Sequence, residues 1–295
     1  MATTTEDKNR ARATAMLANA VVPSSCYDKE AVMKALAMGA DVNAPLPEGL
    51  WSMGGELPSP LHVAFRHGNA ELASLLMSAG ASIDGLDASG TPTAFWLNVG
   101  PCACAWIAAG GEPWKMVESK SPRHRNNQAE RKNLAWIACR GGDAELWGML
   151  AEAFTPDVDL AELVSTSDFY TSEGQESVMG AAIAWTNLIA IETLFKLGYR
   201  REERHIAKIA KDLACAQQRY QRFGAQRMAK LFFRFGARPP ADESYQKFEW
   251  LVGPQAVNDV KAWMEEAFLE AEKKALSKAA KARGTRKPLG GSGRL

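Results

Sequence analysis

The chain has 295 residues, of which 46% are hydrophobic and 23% are charged, and this composition is typical of a globular protein large enough to bury a substantial core. No segment approaches the ~20 consecutive apolar residues that a membrane span requires, and the polar residues 1–7 lack the apolar core of a signal peptide. The five cysteines are irregularly spaced, which argues against a disulfide framework. The sequence therefore predicts a cytoplasmic protein.

The net charge of +1 hides a strong asymmetry along the chain. Residues 1–199 contain 14 Lys/Arg and 23 Asp/Glu, whereas residues 200–238 contain 11 basic and 3 acidic residues. Residues 239–272 are again acidic, and residues 273–295 contain 8 basic residues and no acidic residue. Blocks of alternating sign indicate surfaces that attract charged partners.

The first segments of the chain predict helices. Residues 1–27 are expected to form an N-terminal helix that covers the end of the fold. Residues 59–84 then read as a short helix, a tight turn, a second helix and a glycine stop at Gly80, and they begin with Ser-Pro-Leu-His. This segment resembles the ankyrin repeat, with Ser59 in place of the family's threonine. The resemblance implies an all-α, ankyrin-like helical-repeat solenoid with finger loops, built to bind partners.

The glycine that ends each second helix is a landmark for further repeats, because glycine adopts a left-handed conformation without strain. One gap of 88 residues between landmarks predicts a hidden unit that ends near Phe154. The apolar stripe before Gly80 recurs at the same offsets before Phe154 and before Gly236. Residues 28–238 are therefore predicted to contain about six degenerate ankyrin-like repeats. The landmark glycines are Gly39, Gly80, Gly110, Gly198 and Gly236.

Three insertions interrupt the repeat period, at residues 45–58, 112–130 and 160–177. The first is rich in proline and glycine and has an apolar tip, whereas the other two are polar, and residues 160–177 read as a loop. In stacked repeats such insertions extend the fingers, which often form the binding side. After the repeats, residues 239–284 are predicted to form a C-terminal capping helix region, and residues 285–295 a flexible basic tail.

Residues that could carry chemistry have simpler structural explanations. His62 is the histidine of the ankyrin turn, where the resemblance implies that the imidazole ties the helix start to neighbouring backbone. Cys102 and Cys104 could suggest a metal or redox pair, but Cys102 falls on the core stripe before Gly110 and no four ligands have zinc-site spacing. The sequence has no nucleotide-binding, zinc-protease or hydrolase motif. We therefore expect no enzyme activity, no metal and no cofactor.

The expected function is that of a protein–protein interaction module, which binds its partner through the fingers and the concave inner helices. Trp51 and Met53 lie in the long first finger, where an exposed apolar tip must either fold back or meet a partner. Leu86 and Asp87 lie in the next finger. The remaining predicted contacts lie on the inner helices and are Arg66, His67, Arg140 and Trp185.

The basic segment at residues 200–238 supports an alternative function. Its basic residues alternate with aromatic residues, and such side chains can neutralise phosphates and stack on bases. Arg219, Arg222 and Arg227 are the predicted contacts, either for nucleic acid or for an acidic protein. The same pattern also fits a solvated helix face around an apolar core. A third alternative is a host-directed effector, in which the repeats deliver an activity held in an insertion.

Overall fold

A computed structural model describes most of the chain, and the described part is mostly helical. No helix in this part is long and apolar enough to cross a membrane. Residues 1–193 form one compact unit and residues 194–295 form a second. The described residues are 4–22, 27–51, 57–88, 90–97, 100–119, 130–160, 163–165, 176–200, 202–216 and 218–284.

The α-helices in these ranges are, in chain order, α1 (Thr5–Val21), α2 (Lys29–Ala37), α3 (Pro60–Arg66), α4 (Ala70–Ser78), α5 (Pro101–Ala108), α6 (Leu134–Ala138), α7 (Ala144–Glu152), α8 (Val178–Ala184), α9 (Leu188–Lys196), α10 (Glu203–Cys215), α11 (Arg219–Arg234), α12 (Asp242–Val252) and α13 (Pro254–Gly284). A 3₁₀ helix, Thr93–Trp96, precedes α5 in place of an α-helix. Two helices therefore precede each of the six predicted repeat ends.

Side-chain caps and glycine stops explain where these helices begin and end. Thr4 and Asp7 form a capping box at the start of α1. At the start of α4, the Oδ1 atom of Asn69 accepts a hydrogen bond from the Leu72 N–H at 3.0 Å. Gly80 ends the α4 turn with a φ of 93°, and the other four landmark glycines also have positive φ. The left-handed conformation predicted at the landmarks is thereby confirmed.

The helix pairs share one packing pattern. Helix α3 packs against α4, and α6 packs against α7. Leu146 and Leu150, which belong to the hidden unit predicted before Phe154, are fully buried in α7. Small residues at matching positions of three inner helices are also fully buried, and they are Ala64, Ala138 and Ala182. These positions lack a large side chain because the neighbouring helix approaches closely there.

Among the described residues, two short antiparallel strand pairs occur at the ends of the polar insertions, so the all-α expectation is incomplete. β1 (Val117–Ser119) pairs antiparallel with β2 (Glu130–Lys132), and β3 (Val164–Ser165) pairs antiparallel with β4 (Glu176–Ser177). Strand β2 also lies beside β3. The two ends of each insertion lie side by side, and their backbone N–H and C=O groups pair with each other.

In the second unit, α10 packs against α11, and α13 packs against α10, α11 and α12. Val257, Val260 and Met264, from the apolar stripe of α13, are buried. The Phe268 ring meets the Phe233 ring of α11 edge-on, with 5.7 Å between centroids. Residues 272–281 of α13 are exposed on all sides. Only the first part of α13 therefore contributes to the core of this unit.

Candidate interaction surfaces

Arg140 and Trp185 lie at the ends of two inner helices, α6 and α8, and contact each other. The guanidinium carbon of Arg140 lies 5.2 Å from the centroid of the Trp185 ring, which is a cation–π geometry. Both side chains are exposed, and 41% of the Trp185 surface faces solvent. The structure thus joins two of the predicted contact residues in one surface feature.

Asn187 holds the turn that follows Trp185. Its Oδ1 atom accepts a hydrogen bond from the Ala190 N–H at 3.0 Å and so caps α9. The Nδ2 group lies 3.3–3.4 Å from three carbonyl oxygens near the end of α6, those of Ala138, Cys139 and Gly142. One side chain therefore connects two helix pairs. Sequence analysis missed Asn187, although Asn69 occupies the same capping position in the 59–84 segment.

The turn between α8 and α9 is strained at Thr186. This β-branched residue has a φ of 54°, in the left-handed region that such residues rarely adopt. In the equivalent turn between α3 and α4, Gly68 has a φ of 67°. The backbone hydrogen bonds of the two turns also match, because the N–H groups of Asn69 and Asn187 each donate at 2.9 Å to the carbonyl five residues earlier. The strain thus lies directly beside an exposed tryptophan.

Trp51, in the first finger, folds back onto the end of α3. Its ring meets the His67 ring edge-on at 5.8 Å and lies 6.1 Å from the Trp96 ring. Trp51 is half-buried, whereas His67 and the neighbouring Arg66 are exposed. Met53 lies outside the described residues. For Trp51 the structure therefore favours folding back over full exposure at the finger tip.

Leu86 and Asp87 in the second finger have opposite environments. Leu86 is exposed, but Asp87 is only 6% exposed. The Asp87 carboxylate accepts hydrogen bonds from the Thr91 N–H at 2.9 Å and from the Trp96 indole N–H at 3.1 Å. Asp87 was predicted to contact a partner, but its carboxylate is buried. It holds the finger against the 3₁₀ helix, because the buried donors of this turn need an acceptor.

His62 ties the start of α3 to this second finger. The Ser59 N–H donates to His62 Nδ1 at 3.2 Å, so Nε2 carries the proton and faces Thr93 Oγ1 at 3.5 Å. The Thr93 hydroxyl in turn donates to the Gly85 carbonyl at 2.7 Å. Burial lowers the pKa of His62, and the charge of Asp87 partly opposes this effect. The neutral imidazole thus has the structural role that the resemblance implied.

The two cysteines of α5 differ, since only Cys102 has the environment of a core residue. Cys102 is buried, and burial raises the pKa of its thiol to about 11, which keeps it neutral. Cys104 is partly exposed, and burial also raises its pKa. Among the described residues, no group of three or more His, Cys, Asp or Glu side chains could hold a metal ion. Cys26 lies outside the described residues.

The three arginines predicted for the basic segment are exposed on α11. They are Arg219, Arg222 and Arg227. The guanidinium carbon of Arg227 lies 5.7 Å from the centroid of the Phe223 ring, one turn earlier on the helix. Helix α11 contains no acidic residue. The positive charge predicted for this segment is therefore displayed at the surface of the second unit.

Residues 59–88 match the family model of the ankyrin repeat. The match covers α3, α4 and most of the second finger, including the Asp87 carboxylate that holds it. A comparison with curated proteins finds no match. Ankyrin repeats are typically non-enzymatic interaction modules, and nothing in the match indicates catalysis. The chain therefore carries an ankyrin repeat at residues 59–88, as its sequence pattern implied.

Proposed function

We propose that this chain is a non-enzymatic protein-interaction module, which binds its partner at the inner helix ends and fingers of residues 59–193. The ankyrin repeat suggests a protein partner. The exposed Arg140–Trp185 pair is the observation that indicates where this partner binds. Arginine and tryptophan are enriched among the few residues that dominate binding energy at protein interfaces.

The turn after Trp185 supports this choice. Because Asn187 bonds to both helix pairs, the backbone that carries Trp185 is already ordered before binding. Association then costs less conformational entropy than it would for a mobile side chain. The equivalent end of α3 presents the exposed residues Arg66 and His67, which extend the same type of surface.

We also propose that residues 28–238 form about six ankyrin-like repeats. Within these residues two helices precede each predicted repeat end except Gly39, which only α2 precedes, and Ala64, Ala138 and Ala182 are buried at matching positions. Exposed residues of the fingers, such as Leu86, would then lie on the same side as the inner helix ends.

The test compares two exposed tryptophans. Trp185→Ala removes the proposed anchor, whereas Trp250→Ala removes an 82% exposed indole from α12 and is the matched control. Partners captured by the full chain are quantified by mass spectrometry, and the binding of an identified partner is then measured with purified proteins.

We expect Trp185→Ala to weaken binding at least tenfold, and Trp250→Ala to leave it unchanged. Arg140→Ala should have a smaller effect in the same direction, because it removes the cation over the ring. Circular dichroism at 25 °C verifies that each variant is folded. If all three variants capture as much partner as the natural chain does, the partner binds elsewhere.

A further inference from the structure

One face of α11 combines positive charge with exposed aromatic rings. At 100° per residue, Arg219, Tyr220, Phe223, Arg227 and Lys230 fall within an arc of about 100°. All five are exposed, and the two rings are unusually so: 69% of Tyr220 and 60% of Phe223 face solvent. The helix of 16 residues is about 24 Å long, so this face is a continuous strip along it.

The basic side chains of this strip, and Arg222 about 60° beyond its edge, remain available to a partner. Within the part of the chain that the structure describes, Arg219, Arg222, Arg227 and Lys230 form no ion pair. The helix itself contributes no carboxylate. Four cations that remain solvated on one helix attract a polyanion more strongly than four cations that are already paired.

The neighbouring helix α13 carries acidic residues along its packed part and basic residues in its exposed end. Phe233 of α11 contacts Phe268 of α13, and the charge of Lys230 acts on Glu270 of the same helix. Residues 273–295, which begin in the exposed end of α13, contain 8 basic residues and no acidic residue.

The strip lacks the aliphatic side chains of a typical protein interface. The aliphatic residues of α11, such as Met228 and Leu231, are buried, and its exposed apolar groups are two aromatic rings flanked by cations. Protein interfaces are centred on tightly packed apolar groups, whereas proteins that bind single strands combine stacking rings with a positive surface. The composition of the strip thus favours nucleic acid over an acidic protein.

We propose that this face of α11 binds single-stranded nucleic acid, with its basic side chains on the phosphates and with Tyr220 and Phe223 stacked on bases. The activity belongs to the second unit and is separate from the protein contact proposed for the first. Four phosphate contacts to a single strand give a salt slope of about −2.8, so affinity falls about 50-fold between 50 and 200 mM salt.

The experiment uses the full chain and a fluorescent 20-nucleotide oligothymidine, with binding measured by anisotropy at both salt concentrations. One variant combines Arg219→Gln, Arg222→Gln and Arg227→Gln, and a second combines Tyr220→Ser and Phe223→Ser. The matched control removes three exposed cations from the first unit, with Lys8→Gln, Arg12→Gln and Lys34→Gln. Unlabelled poly-glutamate and a 20-base-pair duplex serve as competitors.

We expect the arginine variant to lose more than tenfold in affinity and to flatten the salt dependence, because about one phosphate contact remains. The aromatic variant should lose at least about 30-fold at either salt concentration, because two stacked bases are lost and salt does not screen stacking, and the first-unit control should bind as the natural chain does. The proposal is overturned if oligothymidine does not bind at 50 mM salt, or if the control loses as much affinity as the arginine variant. It is also overturned if the aromatic variant binds normally while poly-glutamate competes equally, because the strip would then be a surface for acidic proteins. Preferential competition by the duplex would contradict the single-stranded assignment.

Discussion

The two units of this chain present their exposed aromatic residues in different ways. In the first, Trp185 lies under Arg140, on a turn whose Asn187 bonds to the neighbouring helix pair. In the second, Tyr220 and Phe223 project from a single basic helix. Among the described residues, six of the seven buried polar side chains lie in the first unit and only His205 lies in the second.

This difference shows how one helix-pair pattern can support two kinds of surface. Buried polar groups must be satisfied by specific partners, so they position the loops of the first unit precisely. In the second unit the loops are short and the polar groups lie mostly at the surface. The binding properties of that surface therefore depend on its charge. A positioned surface suits a partner of defined shape, whereas a charged helix face suits a flexible polyanion.

Removing Asn187 should have the largest effect on stability. If it does not, the contrast drawn between the two units is wrong. We expect Asn187→Ala to lower the free energy of unfolding by about 2–3 kcal/mol, because both the cap of α9 and the bonds to three carbonyls are lost. The matched variant Asn69→Ala loses only the cap of α4 and should cost about 1 kcal/mol. Urea unfolding of both variants measures the difference, and equal losses would mean that the bonds between helix pairs contribute nothing.

The buried histidine of the second unit should make stability depend on pH. Burial is the main cause that lowers the pKa of His205 to about 4; Glu202 opposes it, while Arg204 and Lys208 reinforce it. The unfolded histidine titrates near pH 6.5, so below that pH the unfolded chain takes up a proton that the folded chain does not. Well above pH 6.5 this histidine therefore does not lower the free energy of unfolding, and at pH 5 it should lower it by about 2 kcal/mol.

The variant His205→Gln isolates that contribution. Its free energy of unfolding should fall by about 2 kcal/mol less than that of the natural chain when the pH changes from 8 to 5. The pKa of His62 is also lowered, but His62 is present in both proteins and cancels in the comparison. Parallel pH profiles for the two proteins, measured by urea unfolding, would contradict the assignment to His205.

The smallest expected effect concerns the strained turn of the first unit. Thr186→Gly should raise the free energy of unfolding by about 1 kcal/mol, because glycine adopts the left-handed conformation without the strain of a β-branched residue. The reciprocal change Gly68→Thr should lower it by a similar amount. Thermal unfolding of both variants tests the pair, and a loss of stability in Thr186→Gly would show that the threonine side chain stabilises the turn by other contacts.

Local features of the fold could be predicted from residue types. The left-handed glycines, the buried alanines of the inner helices and the burial of Cys102 all follow from patterns within one repeat. The buried face of α7, before Phe154, was predicted in the same way, since its spacing is the same as that of residues 59–84. The role of His62 was implied instead by the resemblance to the ankyrin turn, and its first hydrogen bond, from the Ser59 N–H, spans only three residues.

Longer-range features could not be predicted in this way. The polar insertions gave no sign that their ends pair as strands, and the first finger left open whether Trp51 folds back. Asp87 looked like an exposed finger residue, yet Trp96 lies close enough to donate to it in a buried turn. Each outcome depends on which segments the helices bring within a few ångströms of each other.

The sequence by itself determined the helix pairs, their stops and the distribution of charge, because these depend on residue types and short spacings. The tertiary structure alone decided which exposed residues act together. Arg140 and Trp185 are far apart in sequence and meet only because α6 and α8 end side by side, with Asn187 bonded across them. On α11 the helical period alone aligns the basic and aromatic residues, but only the packing of Met228, Leu231 and Phe233 decides that this aligned face meets solvent.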